Sequence, residues 1–67
     1  MTPELKELLF TRTTVSPREL LEHRILGRIS RSALYVALQK GDVEAIRVGP
    51  KLYEIPTSYL RRRLGLN

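Results

Sequence analysis

The side chains able to do chemistry in this chain are mostly cationic or hydroxyl-bearing, and several fall at helical spacing. Arg31, Ser32, Tyr35 and Gln39 share one strip of a helix turning every 3.6 residues. A guanidinium, a hydroxyl, a phenol and a carboxamide form a strip polar enough to face water or the edge of a nucleobase. Arg28 precedes the strip, and Arg47 and Lys51 flank a Gly49-Pro50 pair beyond it. Covalent chemistry has far less support. Cysteine is absent, which removes disulfides, thiolate metal sites and thiol catalysis together. His23 is the single histidine, with no second metal ligand nearby and no nucleophile or orienting acid to work with. No glycine-rich phosphate loop is present. We expect no enzymatic activity and no cofactor or metal.

Charge points the same way. Twelve Lys and Arg against seven Asp and Glu give a net charge of +5 and a pI near 10.3, and nine of the twelve are arginine. The segment up to Phe10 is slightly acidic, with Glu4 and Glu7 against Lys6, so the excess lies in the remainder. A surplus on this scale suits a polyanionic partner, nucleic acid first and an anionic membrane surface second. Its plainer use is solubility. The longest apolar runs, such as Ala33 to Leu38, fall far short of the ~20 residues of a membrane span. The first residues lack the basic-then-apolar layout of a secretion signal. A cytoplasmic protein with no membrane partner is expected, and 67 residues leave room for one domain with a small core.

The elements that must position the strip follow from caps and periodicity. Thr2-Pro3-Glu4 opens a short helix through about Leu9, with Leu5, Leu8 and Leu9 as its apolar stripe. Thr11 to Val15 reads as linker or a short extended segment. In "VSPRELLEHRIL" Ser16 caps, Pro17 takes the first helical position, and Glu19 completes a capping box. That helix is expected to run to about Leu26 and close on Gly27. "ISRSALYVALQKGD" starts a second one, capped by Ser30 and closed by Lys40-Gly41. Leu34, Ala37, Leu38 and Ala33 are expected to face inward. Val43 to Val48, with Ile46 and Val48 on one face and Ala45 and Arg47 on the other, turns through Gly49-Pro50-Lys51 and returns over Leu52 to Ile55 as a hairpin. "PTSYLRRRLG" forms a last helix with Thr57 as cap, Tyr59 and Leu60 inward and Gly65 as stop.

Two helices joined by "GRIS" form a helix-turn-helix. Helix, turn, helix, hairpin, helix is the order of a small winged-helix domain. The expected fold class is therefore α+β, mostly helical: a winged helix-turn-helix with one two-stranded antiparallel hairpin as the wing. Residues 1–14 supply an N-terminal helix and linker, and residues 15–64 the winged-helix core.

The stretches "ISRSALYVALQKGDVEAIRVG" and "YEIPTSYL" resemble the excisionase family, the small MerR-like winged-helix proteins of phages and integrative elements. The resembling features are a Ser-Arg-Ser-x-Leu-Tyr helix start, a Gly-Asp turn, an Ala-Ile-Arg-Val-Gly strand and an Ile-Pro before the last helix, spread from Val15 to Leu64. "HRILGRIS" is slightly longer than is usual in the family, as is the wing, whose tip reads Pro50-Lys51 where paired basic residues are frequent. The resemblance implies sequence-specific binding to double-stranded DNA, self-association along neighbouring sites, DNA bending, and assistance to an integrase in excision.

In that architecture Arg31, Ser32, Tyr35 and, further along, Gln39 read the major groove. Arg31 is suited to bidentate pairing with a guanine. Arg28 in the turn, and Arg47 and Lys51 on the wing, take phosphates or the neighbouring minor groove. Each residue also has a plainer use: Arg31 as a solvated cation, Tyr35 at the rim of the core, Arg47 paired with Glu44 or Glu54. Arg61 to Arg63 point three ways round a helix, so at most one or two of them reach DNA. A small transcriptional regulator needs the same surface. A protein- or RNA-interaction module is a further alternative, although the scattered aromatics form no stacking platform.

Overall fold

The computed structural model describes residues 2–66. Four helices and three short strands follow one another as α1 (Pro3–Thr11), β1 (Thr14–Val15), α2 (Pro17–Glu22), α3 (Arg31–Lys40), β2 (Ile46–Arg47), β3 (Tyr53–Pro56) and α4 (Thr57–Leu64). About half of the chain is helical. β3 is the central strand of an antiparallel sheet in the order β1-β3-β2.

The sheet has one strand more than the sequence suggests. Thr14 pairs with Pro56 and Val15 with Ile55, so the segment read as linker or a short extended piece ends in an edge strand. Tertiary contact decides this, because two residues carry no strand period of their own. On the other side Ile46 pairs with Glu54 and Arg47 with Tyr53. The Val48 N–H donates to the Leu52 carbonyl at 2.8 Å and extends the pairing to the hairpin tip.

One apolar cluster holds these elements together. Leu9, Val15, Leu20, Ile25, Leu34, Leu38, Val43, Ile55 and Leu60 are buried, so every element except β2 contributes a side chain. The N-terminal helix belongs to this core through Leu9, and α1 packs against α4. Arg61 ties the same pair: its guanidinium donates to the Leu9 carbonyl at 2.6 Å and lies 5.3 Å from the Phe10 ring centre.

The starts of α1, α2 and α3 match their sequence signals, as do the left-handed ends of α3 and α4 at Gly41 and Gly65, whereas the end of α2 and the start of α4 differ. Ser16 accepts from the Glu19 N–H at 3.2 Å while Glu19 accepts from the Ser16 N–H at 3.1 Å, which is the expected capping box. Ser30 accepts from Ala33 at the start of α3. α2, however, stops at Glu22 and not near Leu26. Arg24 takes a left-handed φ of 51°, its N–H donates to Leu21, and the Ile25 N–H reaches back to Leu20 at 3.1 Å. This is a Schellman closure, and it drops Ile25 onto Leu20 within the core. Thr57, expected as a cap, is instead the first residue of α4; its buried hydroxyl donates to the Arg12 carbonyl and anchors the chain before β1. Pro56 holds the capping position without a side-chain bond. Ala33, expected inside, is exposed, because the buried stripe of α3 is carried by Leu34 and Leu38 with Tyr35 and Ala37 at its flanks.

Candidate nucleic-acid interface

The strip on α3 begins at Arg31, one residue after the Ser30 cap, so its first side chains stand at the open end of the helix. Tyr35, one turn on, is half-buried. Its ring meets Tyr53 of β3 edge-on, with centroids 6.1 Å apart and planes at 70°, an arrangement favoured by the ring quadrupoles. The Arg31 guanidinium lies 5.8 Å from the centre of the Tyr35 ring. Tyr35 therefore serves the rim of the core and braces Arg31 at once. The hairpin brings its tip to the same place: Arg31, Tyr35 and Lys51 line one cleft, although twenty residues separate the two cations in sequence.

The remaining candidates surround this cleft in different ways. Ser32 is exposed on the outer side of α3. Gln39 lies farther along and shares a separate cleft with Arg47, Ala45 and Tyr53. Arg47 pairs with neither Glu44 nor Glu54. Its guanidinium donates to the carbonyls of Gly49 at 3.2 Å and Pro50 at 2.9 Å, so it braces the hairpin tip. Glu54 accepts instead from the Thr14 hydroxyl, and Glu44 faces Arg62 at 3.6 Å. Arg28 lines a shallow cleft with Arg24, Gly27 and Ser30 beneath the start of α3.

Two cations escaped the sequence reading. Arg18 of α2 lines a groove with Leu21, Arg31 and Tyr35 between α2 and α3. Arg24 stands beside Arg28. The helical period alone could have found Arg18, since it lies three residues before Leu21 on one face of α2. Arg24 had no such signal, because its placement follows from the early closure of that helix.

Electrostatically, the surface sorts into free and engaged arginines. Among the described residues, Arg24, Arg28, Arg31 and Lys51 make no ion pair and no side-chain hydrogen bond. Arg12 is bound to Glu19 at 3.0 Å, and Arg18 is loosely paired with Glu22 at 4.0 Å. Arg61 to Arg63 are all engaged: with Leu9 and Phe10, with Glu44, and with the Tyr59 hydroxyl. The Ser16 N–H holds the Glu19 carboxyl below its ordinary range, with Arg12 adding to this and partial burial opposing it.

The cleft with its surrounding arginines can hold anionic groups by charge and direct hydrogen bonds to polar edges; it has no buried nucleophile. Among the described residues no group of His, Asp or Glu has the arrangement of a metal site, and no helix is long and apolar enough to cross a membrane. Comparison with known proteins finds no matching family model, no matching curated protein and no matching solved structure.

Proposed function

We propose that this protein binds double-stranded DNA as a winged helix, with α3 in the major groove and the β2–β3 hairpin as a wing on the flanking strand. The observation that carries this reading is the cleft shared by Arg31, Tyr35 and Lys51, which sets the start of a helix and the tip of a hairpin on one cationic face. A helix fits the major groove, where each base pair shows a distinct donor and acceptor pattern, and its first turn reaches deepest. Arg31, braced on Tyr35, is the base-reading residue, and Ser32 lies beside it. Lys51, Arg28 and Arg24 take phosphates, which set register and supply affinity. The protein acts without catalysis. By its resemblance to excisionases it bends DNA near an attachment site, several copies side by side, and directs an integrase towards excision.

The test is a mobility-shift comparison of Arg31→Ala and Lys51→Ala on a duplex selected from a random library and on bulk random duplex. Arg31→Ala should lower discrimination between the two by about 1–3 kcal/mol. Lys51→Ala should weaken both complexes alike. Three or four phosphate contacts give a plot of log K against log salt a slope of about −3. Identical behaviour of the two variants, or binding indifferent to salt, would overturn the proposal.

A further inference from the structure

The outer face of the hairpin is apolar where a solvated loop would be polar. Register and the Val48–Leu52 hydrogen bond place Ile46, Val48 and Leu52 on one face with Glu54, opposite to the face on which Tyr53 meets Tyr35. Ile46 is 56% exposed, and Val48 and Leu52 are each 63% exposed. Pro50 completes an apolar tip around Lys51. Among the described residues nothing covers these side chains, so their exposure calls for an occupant.

Size and charge select it. Three aliphatic side chains and a proline fall far short of the roughly 800 Å² per partner that a stable protein interface buries. Wedging open one base step takes only one or two aliphatic side chains. From Ala45 to Tyr53 the hairpin holds Arg47 and Lys51 and no acidic residue, so the tip is complementary to a polyanion. The tip is also braced for insertion, since Arg47 clasps the Gly49 and Pro50 carbonyls from within the hairpin. Lys51 shares its cleft with Arg31, so a duplex seated on α3 passes beside the tip.

We infer that the hairpin tip is a DNA-bending wedge: Val48, Leu52 and Pro50 enter the minor groove and part a base step while Lys51 grips the adjacent phosphates. This rests on the DNA-binding reading above and adds the device by which the duplex is deformed. Parting a step kinks the helix away from the inserted side chains and unwinds it locally. Flexible pyrimidine–purine steps, which unstack most readily, are the class of sequence the wedge favours.

The test uses the full chain with two probes. One is a linear mixed-sequence duplex carrying a fluorescence-transfer pair at its ends; the other is a closed circular plasmid relaxed by topoisomerase in the presence of the protein. Wild-type protein should shorten the end-to-end distance and leave the plasmid with a linking-number deficit. Leu52→Ser and Val48→Ser should each abolish most of both effects while duplex affinity falls by no more than about tenfold. Unchanged circular dichroism would show that these exposed positions leave the fold intact. Lys51→Ala should weaken binding yet preserve the bend of the saturated complex. Ile46→Ser, on the same face but away from the tip, should behave as wild type. Serine variants that bend and unwind DNA like wild type would overturn the wedge. So would an Ile46→Ser variant as defective as Leu52→Ser that also loses higher-order complexes, since that marks the face as a protein contact. Wild-type protein that fails to bind either probe at low salt overturns the DNA-binding reading and the wedge with it, whereas binding without deformation overturns the wedge alone.

Discussion

Arg24 stands in a conformation that glycine fills elsewhere in the same molecule. α3 and α4 close on Gly41 and Gly65, with φ of 81° and 71°, through the same pair of backward hydrogen bonds that ends α2. At the third closure a side chain is present, and a non-glycine residue there costs on the order of 1 kcal/mol. That side chain is an unpaired cation beside Arg28, which supplies a reason for accepting the strain. Arg24→Gly should therefore raise stability by about 1 kcal/mol, measured by urea denaturation, and at the same time weaken duplex binding. Arg24→Lys should keep the binding and the strain. A glycine variant that bound duplex as wild type does would make Arg24 merely a residue of the turn. Arg31, the base-reading residue of the proposal, stood out in the sequence because a cation in the first turn of a helix opposes the dipole.

At the scale of the element, α2 shows how a six-residue helix persists. Too short to be stable alone, it is held by its capping box, by a guanidinium from the end of α1, and by burial of Pro17 and Leu20. Glu19 serves both of the first two, accepting from the Ser16 N–H and from Arg12. These bonds favour the carboxylate, so the folded-state pKa lies below the unfolded one. The sign follows: this contribution is complete above the unfolded value of about 4.3 and is lost as pH falls through the lower folded value. Glu19→Gln can keep the capping bond through its amide oxygen but no longer titrates. The urea midpoint of the variant should thus fall less between neutral pH and about pH 3 than that of the wild type. An equal fall in both would show that other carboxylates set the acid limb. The box itself could be read from Ser16-Pro17-Arg18-Glu19, whereas the early end of the helix could not, since it depends on Ile25 finding Leu20 in the core.

For the molecule as a whole, the core is small and each member matters. Leu9 of α1 is fully buried in it, so this helix is structural, and the acidic N-terminal segment is not a detachable tail. Leu9→Ala should cost about 2–5 kcal/mol. A core of this size supplies only about 3–5 kcal/mol, so the variant should lose its cooperative thermal transition, measured by circular dichroism. Retention of a sharp transition at the wild-type temperature would place α1 outside the folding unit. By itself, the sequence determined what local chemistry controls: the helix starts at Ser16 and Ser30, the left-handed stops at Gly41 and Gly65, the hairpin turn after Val48, and the polar strip that begins at Arg31. Each is written within a few consecutive residues as a cap, a turn residue or a helical period. Only the tertiary structure decided that Thr14 and Val15 join the sheet, that Arg61 is spent on α1 while Arg24 stays free, and that Lys51 meets Arg31. Those outcomes depend on contacts between residues far apart in the chain, and no local propensity encodes them.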